Sequence, residues 1–284
     1  MILVYTLLTQ AQSLWFFFLH FFLKILSRNF YKTAKMPTPI QSIHLIAQYL
    51  TAAAISFLEP KEDDSHTNLG FVRQAARLET HPLNSAGLKL CFSYADFTLL
   101  WMGDGLEAIC ELDGKTHAQV LDWLTESAIG LGFEKPYKYN FHYELPYSWA
   151  KDDKLSTPGS AALNQLINQR RAAQIASEAF ATYLGKQVAV RVWPHHFDTG
   201  AYLTLDSGLG VGWGMAIPDE VEAQMYFYLS CYKDGQSFLP EDVSELNQGR
   251  WHRDGFTGGV LALADAQTDG FSFFKEALEL IRGN

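Results

Sequence analysis

The order of hydrophobic patterns along this chain is the feature that most limits its fold. Residues Ile40 to Leu58 carry apolar side chains at helical three-to-four spacing, and Glu59-Pro60 stops the pattern. Thr116 can cap a second helix that ends near Leu131. Between them lie three short runs of strand character, at Leu88 to Phe92, Phe97 to Met102 and Leu106 to Leu112. The first half therefore predicts a helix, an antiparallel meander and another helix.

The same order of patterns returns in the second half. Tyr139 to Leu145 alternates as a strand does, Thr157-Pro158 opens a long helix to Leu184, and a last helix covers Phe271 to Ile281. Further strands are predicted at Gln187 to Trp193, Ala201 to Leu205, Gly210 to Met215, Ala223 to Tyr232 and Gly258 to Ala262. We therefore expect an α+β fold of antiparallel β-meanders flanked by helices. The repeated order suggests two similar helix-meander-helix halves.

The first 35 residues differ from the rest of the chain. Leu14 to Leu26 is almost wholly apolar, and the first acidic residue is Glu59. One interpretation is an N-terminal membrane anchor, whose following basic residues would place the rest of the chain in the cytoplasm. The interpretation we prefer is an upstream mis-start, with translation beginning at Met36, directly before Pro37-Thr38-Pro39. Because no low-complexity linker divides residues 36–284, we expect them to form a single domain.

Charge and cysteine content restrict the partners and the compartment. The chain has 31 acidic and 22 basic residues, a formal charge of -9, so its field repels phosphate backbones and we expect no nucleic-acid partner. Removing residues 1–35 takes away four basic and no acidic residues, which leaves 18 against 31, or -13. The three cysteines form no C-x-x-C pair and favour neither a disulfide framework nor a thiolate zinc site. A reducing, cytoplasmic location fits this composition.

The segment Trp193-Pro194-His195-His196-Phe197-Asp198 holds the densest group of functional side chains. On a strand, His196 and Asp198 would share one face, and a carboxylate beside an imidazole serves either a general base or a metal ligand. His195, His196 and Asp198 are therefore the predicted catalytic residues, and the same three are the predicted ligands of a divalent metal. The alternative is structural: one histidine is a hydrogen-bonded core residue and Asp198 caps a turn.

Three other places could supply ligand-binding side chains to the same pocket. His66 lies in the polar string Asp63 to Asn68, which a simple turn would also explain. His142 and Glu144 share one face of the Tyr139 to Leu145 strand, as residues on any exposed strand face would. His252 and Arg253 lie in a loop, where Arg253 could clamp a carboxylate or phosphate. The predicted ligand-binding residues are Trp193, His66, His142, Glu144, His252 and Arg253, and we expect His66 to converge with His195 or His196.

The known catalytic templates are absent from the sequence. Gly114-Lys115-Thr116 lacks the earlier glycine of a phosphate-binding loop, and neither H-E-x-x-H nor G-x-S-x-G occurs. Glycines alternate from Gly208 to Gly214, which strips side chains from one face of a strand, and we expect Trp193 to pack there.

Three strings resemble an uncharacterised family of bacterial hypothetical proteins: DDSHTNLG at Asp63 to Gly70, HYELP at His142 to Pro146 and VRVWPHHFD at Val190 to Asp198. The later GVGWGMAIPDE, followed by MYFYLSCY, looks like the continuation of the same pattern. The resemblance implies a cytosolic bacterial protein of single-domain type. It implies no activity and no catalytic residue, and residues 1–35 have no counterpart in the pattern.

Three functions are compatible with these patterns. The first is an enzyme-like pocket, with metal-assisted hydrolysis as its chemistry and His195 or His196 as ligand or base. The second is a non-catalytic domain that binds a small molecule between aromatic walls such as Trp193, Tyr226, Tyr228 and Trp251. The third is a structural or interaction protein whose aromatic residues, 14% of the chain, only fill the core. The substrate, the cofactor and the oligomeric state are left open.

Overall fold

The computed structural model describes residues 38–266 and 269–283, with the side chains of residues 106 and 107 left out. The predictions for residues 1–35 lie outside the described residues. Four helices occur in the described part, at Pro39–Phe57 (α1), His117–Gly130 (α2), Ser160–Tyr183 (α3) and Gly270–Gly283 (α4). The first-half strands are Gly70–Val72 (β1), Arg77–Glu79 (β2), Lys89–Ser93 (β3), Thr98–Gly103 (β4) and Leu106–Glu111 (β5). The second-half strands are Arg191–Trp193 (β6), Asp198–Thr204 (β7), Gly210–Ala216 (β8), Tyr226–Lys233 (β9), Gln236–Phe238 (β10), Arg250–His252 (β11) and Gly258–Ala262 (β12).

The strands form two sheets, and the α+β prediction is confirmed. The first sheet has the order β1-β2-β3-β4-β5, and the pairs in it are antiparallel. The second has the order β11-β12-β9-β8-β7-β6, with β10 pairing with β9. The order of elements is helix, meander and helix in each half, as the patterns predicted. The short strands β1, β2, β10 and β11 have too few residues for a periodic signal, and the sequence did not reveal them.

The described chain divides into two compact units. The first unit contains residues 38–175 and 190–199, and the second contains residues 176–189 and 200–283 apart from the two undescribed positions. Strand β6 and the turn that follows it therefore belong to the first unit, although their sequence lies in the second half. That the units form one domain stays a prediction.

Helix α1 is the central helix of the first unit. Thr38 and Gln41 form a capping box at its start, with Pro39 in the first turn, and residues 42–54 are all buried. It packs against β3, where the inward side chains Leu90 and Phe92 are fully buried. Among the described residues, α1 is the one helix long and apolar enough to cross a membrane, and most of it is buried inside the protein. Burial on all sides, rather than on one face, explains its continuous hydrophobicity.

The predicted strand Tyr139 to Leu145 is wrong, and the segment forms an extended strap instead. Residues 137–149, here called the aromatic strap, belong to no sheet. Their odd-numbered side chains are buried or half-buried and their even-numbered ones exposed. The strap is fastened to α1 through side chains: the Tyr137 hydroxyl donates to the Tyr49 carbonyl at 3.1 Å, and the Lys138 N–H donates to Ser56 Oγ at 2.9 Å. The alternation of aromatic and polar residues in this segment thus indicates that one side is buried, and not that the backbone pairs with another strand.

The box Trp193 to Asp198 is a tight turn, so the strand geometry assumed for it is wrong. Residues 194–197 form a four-residue turn between β6 and β7, and Phe197 at its end has φ 57°. The same turn, ending in Phe97 with φ 51°, joins β3 to β4. A left-handed conformation costs a residue with a side chain roughly 1–2 kcal/mol. Both phenyl rings are almost fully buried, which contributes about 2–3 kcal/mol each and offsets that cost.

The alternating glycines in the second unit accommodate tyrosines, not the predicted Trp193. A Cβ on Gly210 would overlap the Tyr202 hydroxyl and stand 3.2 Å from Cβ of Tyr232. Gly210 and Gly212 therefore give these rings room against β8.

Candidate functional site

A row of buried polar residues on α1 organises the first unit. His44, Gln48 and Thr51 follow one another at helical spacing on one face, and each is at most 2% exposed. The sequence analysis missed them, although polar residues at positions i, i+4 and i+7 of an apolar helix were a readable signal. Buried polar groups need partners. Those of His44 and Gln48 come from the aromatic strap and from the turn at residues 194–197, whereas Thr51 donates to the Ala47 carbonyl of its own helix at 3.2 Å.

His44 joins the strap to the turn. Its Nε2 lies 2.6 Å from the Pro194 carbonyl oxygen, and its Nδ1 lies 2.6 Å from the Tyr147 hydroxyl. A carbonyl only accepts, so Nε2 must carry the proton, and the Tyr147 hydroxyl donates to Nδ1. Burial lowers the pKa of His44 to about 4, with the His196 ring and the Arg170 guanidinium adding to the effect. His44 is therefore neutral near pH 7 and acts as a structural connector.

Gln48 strengthens the same connection. Its Nε2 donates to the Pro194 carbonyl at 2.8 Å, and its Oε1 accepts from the Tyr143 hydroxyl at 2.6 Å. Two donors from α1 thus converge on one turn carbonyl. The side chains of His44 and Gln48 therefore both hold the turn to α1 through the Pro194 carbonyl oxygen.

Arg170, on α3, holds the other end of the turn. It is 2% exposed; its Nη1 and Nη2 each lie 3.2 Å from the Phe197 carbonyl oxygen, and Nη1 also donates to Thr199 Oγ1. Its guanidinium carbon lies 4.3 Å from the centroid of the Phe197 ring, on which the His44 ring also stacks. These contacts fix Phe197 in its left-handed conformation. The box that the sequence marked as catalytic is thus, in large part, a structural anchor.

The predicted catalytic and metal residues lie around this anchor. The His195 and His196 rings have centroids 4.2 Å apart, His196 is exposed, and Asp198 begins β7 and is half-buried. Burial lowers the pKa of His195 well below its usual value, and the neighbouring His196, His44 and His142 lower it further. Within residues 38–266 and 269–283, no group of three or more His, Cys, Asp or Glu side chains is placed to hold a metal ion. The geometry therefore gives the divalent-metal prediction no support, and the catalytic assignment stays a prediction.

His66 and His142 come close to this region through one loop. His142 Nε2 lies 3.0 Å from Asp64 Oδ2, and both side chains are about half exposed, at 55% and 48%. His66 is buried; its Nδ1 accepts the Lys61 backbone N–H at 3.2 Å, and burial lowers its pKa. His142 lowers the pKa of both His66 and His195 through its charge. His142 therefore lies close enough to each of these two histidines to interact with it electrostatically.

The remaining predicted ligand-binding residues have separate surroundings. Glu144 is exposed on the outward face of the strap, and Trp193 is half-buried in β6. His252 and Arg253 belong to the second unit. There His252 Nδ1 lies 2.9 Å from the Phe256 carbonyl, and Arg253 donates to the Leu239 and Pro240 carbonyls. The guanidinium that was predicted to clamp a ligand thus ties the loop after β11 to the segment that follows β10.

The sequence analysis also missed a second polar cluster, built around Arg191 on β6. Arg191 Nε donates to Asn68 Oδ1 at 2.7 Å, and its Nη2 donates to the Asn68 carbonyl at 3.3 Å and to His81 Nε2 at 2.8 Å. Backbone bonds between Leu69 and Val192, both 2.9 Å, bring the two segments together. In the described part of the chain, Nη1 of Arg191 has no hydrogen-bond partner and no carboxylate lies within ion-pair distance of the guanidinium.

The charged side chains that act on His81 are cations. Burial lowers the pKa of His81 to about 4, and the charged groups that lower it further are Arg191, Lys61 and Lys89. A hydrogen bond to the Ser65 backbone acts in the opposite direction. His81 is therefore neutral near pH 7. Its Nε2 lies 2.8 Å from Arg191 Nη2 and 2.9 Å from Asn68 Oδ1 and can satisfy only one of them; because the other ring nitrogen donates to the Ser65 backbone, we assign Nε2 as the acceptor of the Arg191 proton. Burial also lowers the pKa of Arg191, while the Glu79 carboxylate acts in the opposite direction; a guanidinium starts so high that it stays charged.

Glu79 neutralises only part of this charge. Its two oxygens bind Arg77 at 2.5 Å and Lys89 at 2.8 Å, and these bonds hold the pKa of the carboxyl below its usual value against the effect of burial. Lys61 is exposed, and its ammonium has no side-chain partner among the described residues. Local positive charge in a chain of net charge -9 is the unusual electrostatic feature of this unit.

Two surface cavities lie apart from both clusters. One of about 500 Å³ in the second unit is lined by residues of α4 and of the loop before β11, among them Asn247, Lys275 and Glu276. One of about 230 Å³ lies on the outer face of the first sheet, where Arg77, Asp96 and Ile109 line it. Neither is lined by His195, His196 or Asp198.

No protein-family model, no curated protein and no solved structure matches the chain. Its function must therefore be argued from its own residues.

Proposed function

We propose that this protein is a non-catalytic small-molecule-binding protein that recognises an anionic group through Arg191. The observation that carries the proposal is the state of the guanidinium: Asn68 and His81 fix its Nε and Nη2, while Nη1 has no protein partner within the described residues. With its other two nitrogens fixed, the guanidinium presents Nη1 in one defined direction, as a pre-organised binding site requires.

The cost of holding this charge supports the proposal. A guanidinium removed from water loses solvation, and proteins usually offset the loss with a carboxylate. Arg191 is half-buried, and the nearest acid, Glu79, is already bound by Arg77 and Lys89. Glu79 compensates part of the Arg191 charge without a direct contact, and a bound anion would add a direct partner. The net charge of the chain disfavours long polyanions, so we propose a small ligand.

Calorimetric titration of the protein with phosphate, sulfate and citrate at constant ionic strength tests this function. We expect saturable binding of at least one anion, and at least tenfold weaker binding by Arg191→Gln. Arg253→Gln is the matched control, because among the described residues Arg253 donates to the Leu239 and Pro240 carbonyls of the second unit and not to the Arg191 cluster. Absence of saturable binding, or equal losses in both variants, would refute the proposal.

A proton-transfer enzyme is the second candidate, on the strength of the Asp64–His142 pair. The carboxylate fixes the proton on His142 Nε2 and leaves Nδ1 as a base. Asp64 itself adopts a left-handed backbone, with φ 55°. A screen against chromogenic esters would favour this candidate if turnover were lost in His142→Gln but kept in Glu144→Gln, an exposed neighbour on the same strap.

A cytoplasmic location is also a proposal. The three cysteines are free and buried, and burial raises the pKa of the Cys91 and Cys231 thiols to about 12. Unpaired thiols of this kind fit a reducing compartment.

A further inference from the structure

We infer that the anion is the phosphate group of a small molecule, bound at Nη1 of Arg191 beside Gly70. The inference rests on the proposed function and adds the class of ligand and its position. Three observations carry it: the donors that Arg191 has left, the glycine that faces them and the second cation nearby.

The donors left on Arg191 disfavour a carboxylate. A carboxylate gains most from a guanidinium when its two oxygens bind two adjacent nitrogens in parallel. Here Nε and Nη2 are committed to Asn68 and His81, so only the two hydrogens of Nη1 remain. One nitrogen acts as a point donor. A phosphate has three acceptor oxygens and can take such a donor together with other cations, so it loses less by this arrangement.

Gly70 leaves this nitrogen uncovered. A Cβ built on Gly70 would stand 3.2 Å from Nη1 and 3.9 Å from the Arg191 guanidinium carbon. Gly70 lies in β1 and is not among the residues with positive φ, so its backbone does not require glycine. The missing side chain thus serves the guanidinium and the space beside it. An added methyl group would push on Nη1 and cover one of its sides.

Other cations around His81 favour a doubly charged group. Lys61 and Lys89 both lower the pKa of His81, so their ammonium groups act on the same place as Arg191. Lys89 is partly neutralised by Glu79, whereas Lys61 has no side-chain partner in the described ranges. A phosphate monoester carries about -1.5 to -2 charges at pH 7, whereas a carboxylate carries one. A group of two or three cations therefore attracts the phosphate more strongly. Of the acids in the adjoining loop, Asp64 pairs with His142, and Asp63 accepts from the Ser65 N–H and also attracts Lys61 electrostatically, without an ion pair.

A pair of matched ligands tests the inference. Phenyl phosphate and benzoate share an aromatic ring and differ in the anionic group, so calorimetric titration of the full chain with each isolates that group. We expect phenyl phosphate to bind at least tenfold more tightly than benzoate at constant ionic strength. We also expect Lys61→Gln to weaken phenyl phosphate binding more than benzoate binding, and a single-stranded oligonucleotide not to compete.

Gly70→Ala tests the position. We expect it to weaken phenyl phosphate binding at least tenfold while the unfolding temperature stays within a few degrees of the wild-type value. Gly130→Ala is the matched control, since nothing lies within 4 Å of its Cβ position and its φ is not positive. Gly87→Ala would not serve, because Gly87 has φ 77° and the substitution would strain the backbone.

The outcomes separate the two claims. Benzoate binding as tightly as phenyl phosphate would overturn the phosphate inference and leave the anion-binding function standing. Phenyl phosphate binding unchanged in Gly70→Ala would overturn the position. Failure of both ligands, together with phosphate, sulfate and citrate, would overturn the proposed function and this inference with it.

Discussion

Acidification should destabilise the first unit through His44. This histidine is 2% exposed, and its pKa falls from 6.5 in an unfolded chain to about 4 in the fold. Between these pH values the imidazole of the unfolded chain binds a proton and that of the folded chain does not. The contribution of His44 to the free energy of unfolding is therefore fully present above pH 6.5 and is lost as the pH falls toward 4. A difference of about 2.5 pH units corresponds to about 3 kcal/mol. His81 acts in the same direction, with a smaller effect because it is partly exposed.

Urea unfolding, followed by tryptophan fluorescence at several pH values between about 7 and 4.5, measures this loss. We expect His44→Gln to remove about one proton from the pH dependence, so its stability should decline less steeply than that of the wild type. Tyr147→Phe is the matched control, because it removes the hydrogen bond to Nδ1 but keeps the buried imidazole. It should lower stability and retain the wild-type slope. Equal slopes for His44→Gln and the wild type would refute the reasoning.

Two other outcomes follow from buried groups of the first unit. Arg170→Met should lower the free energy of unfolding in urea by about 3 kcal/mol, since it leaves the Phe197 carbonyl and the Thr199 hydroxyl without their donor. The control Arg171→Met loses one part-buried hydrogen bond to a carbonyl and should cost about 1 kcal/mol. Similar losses in both variants would contradict this account. A thiol reagent should label Cys91 only as fast as the protein unfolds, because the residue is fully buried, and rapid labelling under native conditions would contradict its placement.

The main elements of the fold could be predicted because their signals are local. The continuous hydrophobicity of α1 and the turn residues between β3, β4 and β5 are contained within short windows of sequence. The aromatic strap shows where such signals mislead. Tyr139, Phe141 and Tyr143 alternate as in a strand, but their rings pack beside α1 and the strap joins no sheet. Alternation records which side is buried and does not record whether the backbone is paired.

The candidate site could be predicted only in part, because its contacts are distant in sequence. The strings that drew attention do contain Asn68 and Arg191, but the histidines in them were given the chemical roles. Arg191 and Asn68 are 123 residues apart, and His44 and Pro194 are 150 apart. No local pattern reports such pairs. The left-handed Phe197 was equally hidden, since nothing in the letters PHHF signals a positive φ.

The most direct test of the central claim is the response of individual arginine side chains to an added anion. In a protein labelled with nitrogen-15 arginine, we expect the guanidinium signal of Arg191 to shift saturably as inorganic phosphate is added, while that of Arg253 stays unchanged. A shift at Arg253 equal to that at Arg191, or no shift at either, would contradict the account of Arg191 as an anion-binding group.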